Sequence, residues 1–285
     1  MQKYSGFPII FTLIGRRLII NQYSRIVGII TRDNFEWLLN GDSQFSESVH
    51  AAGILEFRAD TFPQAKIPKI AEKFSEYMQK TYPELLTIFT IRLPKDGGQW
   101  EGVSEERWPV VDKVLEQGHM HWFDIEIEEI LKLPKTIFDK IKIQQKKLVL
   151  SHHNFSQGYT INEYQDILAK MELSQPDIIK FAVTAQTELE IGYLLEFSQD
   201  LVKNYPLSCA VSIGPYGVLS RIASPLVGAP LSYGYLGGEP TVPGQISVQK
   251  LKICLTEAYQ NGLYRQSVAK IIDFIKEKWP ESIEM

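Results

Sequence analysis

Ile26-Val-Gly-Ile-Ile30 runs directly into Thr31-Arg-Asp-Asn-Phe-Glu-Trp37. The first stretch is apolar and mostly β-branched, which reads as a buried strand. The second holds no glycine. An open doubly wound sheet ordinarily has a glycine-rich loop after its first strand, where backbone must approach a phosphate. That loop is missing here, so the continuation of the strand pattern decides the fold.

It continues as apolar, β-rich runs at 53–58, 85–92, 122–127, 147–152, 177–183, 207–213 and 230–236, eight in all with 26–30. Helical spacing fills several gaps. Ile67, Ile70, Ala71, Phe74 and Met78 share one helix face, and 109–116, 162–171 and 187–201 are similar. Residues 266–278 read as a closing helix. Strands alternating with helices mean βα units and a parallel sheet. Eight such units predict an α/β fold of the (β/α)8 or TIM-barrel type, whose usual length is ~250 residues. Before it, 7–13 and 17–22, joined around Gly15, predict an N-terminal β-hairpin closing the bottom of the barrel. With no linker or internal repeat, the expectation is a single domain over 1–285, hairpin 1–25 and barrel 26–285.

Composition narrows the function. Hydrophobic residues make up 44% and charged residues 22%, an ordinary globular balance. Net charge is −4 and the basic residues are scattered, which argues against nucleic acid as a partner. An anionic small molecule remains possible where a few arginines converge. Cys209 and Cys254 form no C-x-x-C pair, which fits a reducing compartment and gives no zinc or redox motif. No basic-then-apolar leader opens the chain, and no apolar run reaches the ~18 residues of a spanning helix. The expectation is a cytoplasmic protein with no membrane partner.

A barrel puts its chemistry at the C-terminal ends of its strands. Lys180 lies inside Asp177-Ile-Ile-Lys-Phe-Ala-Val183. Burying an ammonium is costly, and a desolvated lysine has a lowered pKa and can attack a ketone to form a Schiff base. The structural alternative is a lysine whose stem is buried and whose head reaches solvent. Glu56 and Arg58 end the second strand on one face, as a ligand pair or as an ion pair with each other. Arg92 ends the third, His152 and His153 the fifth, and Arg221 follows the seventh. Neighbouring side chains on a strand point to opposite faces, so one histidine of the two faces a pocket, and parity alone does not say which. Asp124, Glu126 and Glu128 alternate and could share a face; no chemistry is assigned to them. His119-x-His121 precedes the fourth strand, at the wrong end for the site, so no metal is expected. Residues 236–245 combine hinge glycines with stiff prolines and read as a lid or a plain surface loop.

These residues in this order resemble type I 3-dehydroquinate dehydratases. The carriers are Glu56-Phe-Arg58-Ala-Asp60, Phe89-Thr-Ile-Arg92 with Gly97-Gly98, and Ser151-His-His-Asn-Phe155. The lysine strand follows, then Gly217-Val-Leu-Ser-Arg221, Tyr233-Gly234 and Pro243-Gly-Gln245. The resemblance implies a (β/α)8 barrel and elimination of water from 3-dehydroquinate, with neither metal nor organic cofactor. It implies Lys180 as the Schiff-base lysine and His153 as the acid–base, with Asp96 as its partner. Glu56, Arg58, Arg92, Arg221, Tyr233, Thr241 and Gln245 become substrate-binding residues. Family members often form dimers, though no surface stripe here marks an interface. The chain departs from the family where a glutamate is usual before Gly-Gly and Asp96 stands instead, and where Val211 and Ile213 replace a Met-x-Met pair. Tyr233 replaces a phenylalanine, and the lid reads Thr241-Val-Pro-Gly-Gln245 with one extra residue before it. The rival readings are another Schiff-base lyase or aldolase, and a barrel that only binds a metabolite.

Overall fold

The computed structural model describes residues 25–283. Eight parallel strands follow one another around a curled sheet: β1 (Arg25–Ile30), β2 (Ile54–Arg58), β3 (Leu86–Thr90), β4 (Trp122–Glu126), β5 (Lys147–Asn154), β6 (Ile178–Val183), β7 (Cys209–Ser212) and β8 (Leu231–Tyr235). The hydrogen-bonded order is β7-β6-β5-β4-β3-β2-β1-β8, with a two-residue β9 (Ile246–Ser247) added beside β8. All eight expected strands are present, so the α/β barrel stands. The expected hairpin lies outside the described residues.

Strand parity builds two cores. Ile54, Ile88, Trp122, Val149, Ile178 and Leu231 point inward and fill the lower barrel. Their sequence neighbours Leu55, Phe89, Phe123, Leu148 and Ile179 point outward, into a larger core under the helices. Both faces are buried, so the strands read as continuous apolar runs. Two residues above the apolar layer the inward positions become polar: Glu56, Asp124, Ser151 and Lys180. The floor of the site is thus a packed plug.

The helices are α1 (Arg32–Asn40), α2 (Ser43–Ala51), α3 (Ile67–Thr81), α4 (Arg107–Gln117), α5 (Lys135–Ile143), α6 (Ile161–Glu172), α7 (Glu188–Asn204), α8 (Gly217–Val227), α9 (Val248–Gln260) and α10 (Val268–Lys278). Local signals set several starts. Thr160 and Thr187 cap α6 and α7, each in a capping box with a glutamate three residues on. Helix α8 was not expected because every one of its residues is buried, which erases the amphipathic stripe.

One joint of the barrel is incomplete. No strand ladder links β7 to β8 among the described residues. The Leu231 N–H donates to the Ser208 carbonyl at 3.2 Å, and hydrogen bonds from both strands to α8 complete the closure. Ser220 Oγ accepts from the Ser212 N–H at 2.7 Å, and Ser232 Oγ donates to the Arg221 carbonyl at 2.9 Å.

Candidate active site

Lys180 is enclosed in the barrel rather than reaching solvent. Its Nζ lies 3.0 Å from Asp124 Oδ2, 3.6 Å from Glu56 Oε1 and 4.3 Å from the centre of the Tyr233 ring. Two carboxylates and an aromatic face offset the cost of burying the ammonium. Glu56 is fixed by the Thr90 hydroxyl, which donates to it at 2.7 Å. The alternative of a Glu56–Arg58 ion pair does not hold. After β2 the chain enters a tight turn at Ala59–Thr61, which brings Asp60 back onto Arg58. That carboxylate takes the guanidinium in a two-pronged contact, Nε and Nη2 each at 2.9 Å.

Asp124 is the residue the sequence left without a role. Ser151 Oγ donates to its Oδ1 at 2.6 Å, and Arg92 Nη2 stands 2.8 Å from its Oδ2. Burial works against its charge, but Arg92 and Lys180 outweigh burial and hold its pKa below the ordinary carboxylate range. Arg92 reaches Glu126 with its other nitrogen at 3.1 Å and also donates to Ser151 at 2.9 Å. The alternation of three acids along this strand is broken. β4 ends at Glu126, and Glu128 lies in the following turn, outside the barrel, 3.1 Å from His152.

The histidine ambiguity resolves through register. Ser151 stands beside Lys180 and His153 beside Ala182, so His153 shares the inward parity of the lysine. His152 points outward to Glu128, the Tyr159 hydroxyl at 3.0 Å and the Phe181 ring. Burial first, then Arg92 and Lys180, push the His153 pKa well below its usual value, leaving a neutral imidazole. Its Nδ1 is 3.8 Å from Asp96 Oδ1, beyond hydrogen-bonding reach, and both Nδ1 and Asp96 Oδ2 are buried without a partner. Gly97 follows with a φ of 79°, and a Cβ on Gly98 would collide with the Arg92 carbonyl, so the turn that carries Asp96 is held tightly.

Asp96 is pushed up to about 6, by burial first and then by the charge of Glu126, against the pull of Arg92. A carboxyl raised above its unfolded value binds its proton more tightly in the native state. Its contribution to stability is complete below the unfolded pKa and is lost as pH rises through about 6. Asp96→Asn is therefore expected to melt ~2–4 °C above wild type at pH 8, with the difference vanishing near pH 4, as thermal denaturation at the two pH values will show. Equal melting at pH 8 would remove the strain from Asp96.

Arg221 completes the ring from α8. Its Nη1 donates to the carbonyls of Ser212, Gly217 and Gly244 at 2.7, 2.8 and 3.0 Å. Its Nε is buried without a partner, and among the described residues no carboxylate lies within ion-pair reach. Burial lowers its pKa to about 10. A buried guanidinium anchored on one side and unpaired on the other is built to receive an anion.

The lid lies over this ring. Gly214 N–H donates to the Pro243 carbonyl at 3.0 Å, and the left-handed Gly244 sits so close to the Gly214 carbonyl that no side chain fits. Gln245 is buried, its Oε1 accepting from the Thr241 amide and hydroxyl at 2.9 and 3.1 Å. Lys180, His153, Asp96, Glu56, Arg58, Arg92, Arg221, Tyr233, Thr241 and Gln245 all line one cleft with an empty volume of about 520 Å³. Val211 and Ile213 form part of its apolar wall. His119 and His121 are elsewhere, bound to Gln79 and Thr87, and no metal-holding cluster of His, Cys, Asp or Glu occurs among the described residues. No described helix is long and apolar enough to cross a membrane.

The comparisons agree with this geometry. The family model described as type I 3-dehydroquinase matches residues 38–262. A 3-dehydroquinate dehydratase of Staphylococcus epidermidis is 31% identical over 202 residues, which is 70% of this chain and 83% of that protein. Among solved structures, the 3-dehydroquinate dehydratase of Geobacillus kaustophilus superposes with a TM-score of 0.72 at 19% identity, covering 83% of this chain and 91% of the other. The type I 3-dehydroquinate dehydratase of Clostridium difficile, solved with covalently modified comenic acid, gives 0.71 at 22% identity over 84% and 94%. The two structures share the fold, and the first two matches carry the kinship: the chain belongs to the type I 3-dehydroquinase family.

Proposed function

We propose that this protein is a 3-dehydroquinate dehydratase acting through a Schiff base on Lys180. The observation that carries the reading is one cleft holding both a buried amine and a buried guanidinium without an anion. A ligand that satisfies both is a carboxylate bearing a ketone, and family membership supplies 3-dehydroquinate as that compound.

In this mechanism Lys180 loses a proton and its nitrogen adds to the substrate ketone. Loss of water then gives a cationic imine, an electron sink that acidifies the adjacent C–H. The neutral His153 takes that proton, and the electron pair left behind expels the hydroxyl one carbon further on. The imidazolium returns its proton to the departing oxygen, so water leaves, and hydrolysis of the imine releases 3-dehydroshikimate and free Lys180. Asp124 and Glu56 hold the amine in place. Asp96 stands 3.8 Å from His153 in the free protein, and ligand binding closes that gap so that Asp96 orients the imidazole. Arg221 binds the carboxylate through its unpaired edge, and Gln245 and Thr241 cover it. The working unit is one barrel domain. A homodimer follows from the family resemblance, and a cytoplasmic setting from the cysteine usage of the sequence.

Borohydride reduction in the presence of 3-dehydroquinate, followed by peptide mass spectrometry, tests this directly. An adduct on Lys180 is expected. Folded protein that turns over substrate yet yields no adduct would overturn the covalent mechanism. Arg221→Lys keeps a donor for the three carbonyls but loses the planar edge, so KM should rise about 10–100-fold while kcat changes little. An unchanged KM in steady-state kinetics would remove Arg221 from the substrate site.

A further inference from the structure

The described site is flanked by an arginine that touches no part of the cleft. Arg107, the first residue of α4, is 2% exposed and lies on the helix side of the sheet. Its Nη1 donates to the Ile91 carbonyl at 2.8 Å and to Glu126 Oε2 at 2.7 Å. Its Nε and Nη2 are held by the Ser104 carbonyl and hydroxyl at 3.2 and 3.1 Å. Glu126 is wholly buried and turns its other oxygen into the barrel, to Arg92 Nη1 at 3.1 Å and the Leu93 N–H at 3.3 Å. Arg92 in turn stands against Asp124, and Asp124 against Lys180. A chain of alternating charge runs from the helix layer to the reacting amine.

We infer that Arg107 is a positioning residue for the Lys180 chemistry: it holds and neutralises Glu126, so that Arg92 stays on Asp124 and Asp124 keeps Lys180 in place. The inference rests on the dehydratase reading and adds a residue to it. The charges decide the direction of the effect. Arg92 faces two carboxylates, Asp124 and Glu126, and cannot neutralise both. The other charge near Arg107 is Glu129, 3.8 Å from Nη2, and it has its own partners in Lys95 at 2.8 Å and Lys132 at 3.2 Å. Asp96 also feels the charge of Glu126. Without Arg107, Glu126 becomes a surplus buried anion and competes with Asp124 for Arg92. Asp124 then faces the lysine with a weaker hold from Arg92, and the network shifts at the amine.

The test is a cycle of Arg107→Met, Glu126→Gln and the double variant, assayed with 3-dehydroquinate. Arg107→Met should lower kcat about 10–100-fold, the cost of a displacement near 1 Å at the reacting group, and leave KM within about threefold. In the double variant the surplus charge is gone, and the side-chain amide that replaces the carboxylate can still accept from Arg92 and Leu93. It should recover at least tenfold in kcat over Arg107→Met. A wild-type kcat in Arg107→Met overturns the inference, as does a slow single variant that the double does not rescue. Should Arg107→Met fail to fold, the double variant decides alone. A kcat within about tenfold of wild type supports the charge argument, and a folded double variant slower than that refutes it. Wild-type turnover in the same assay tests the dehydratase reading separately.

Discussion

Lys180→Ala is expected to lose turnover by a factor on the order of 10⁴ or more while keeping a wild-type melting curve. The size follows from chemistry. Without the amine no cationic imine forms, and the C–H beside a plain ketone is far less acidic. The fold survives because Asp124 retains Arg92 at 2.8 Å and the Ser151 hydroxyl at 2.6 Å, and Glu56 retains Thr90. Methylamine is mostly the ammonium ion at neutral pH and is not positioned, so rescue should be negligible. Progress curves with 3-dehydroquinate and thermal denaturation on the same preparation check both halves. A variant within tenfold of wild type would mean that the elimination proceeds without the covalent step.

Arg92→Met should produce the largest loss of stability of any single substitution at the site, about 3–5 kcal/mol. Arg92 lies between Asp124 and Glu126, both of them fully buried as side chains. Methionine matches much of its length but leaves two carboxylates facing one another without the cation between them. Arg107 still holds Glu126 and Lys180 still holds Asp124, so the expectation is destabilisation and not unfolding. The urea midpoint measures it, and adding Asp124→Asn should recover part of the loss. An unchanged midpoint would mean that water reaches these carboxylates and screens them.

The fold was legible because eight buried strands each carry several apolar residues, and β6 keeps that character around a single lysine. Where burial was one-sided the helices were legible as well, as in Ile67–Thr81 with Ile67, Ala71, Phe74 and Met78 on its inner face. Gly217–Val227 was not, since a helix buried all round has no stripe to read. The nine-residue α1 and α2 bury too few apolar positions to set a period. Helix α9 carries a stripe at Val248, Leu251, Leu255 and Ala258 but was not among the expected helices, the loop before it taking precedence.

The site divides along a different line. Lysine, arginine and histidine at strand ends stand out because such groups are rarely buried. Asp124 did not, because an acid in a strand beginning Trp122-Phe123 reads equally well as inward or outward until register fixes parity. Register with Lys180 also separates His153 from His152, a choice that strand parity alone left open and that the family resemblance gave to His153. Arg107 was illegible for another reason. Its partner Glu126 is nineteen residues away, and only the packing of α4 on the sheet joins them.

The unlaced joint between β7 and β8 gives the cleft two walls of unequal stiffness. Lys180, Asp124 and Ser151 belong to strands joined by continuous ladders, so the reacting amine rides on the rigid arc of the ring. Val211, Ile213 and Arg221 border the joint, where the circumference is set by hydrogen bonds to α8 and the Leu231–Ser208 main-chain bond. A ligand slightly larger or smaller than the natural one is expected to be accommodated by widening or narrowing that joint. Compliance is therefore concentrated on the side that grips the anion, and the geometry of bond making is insulated from it.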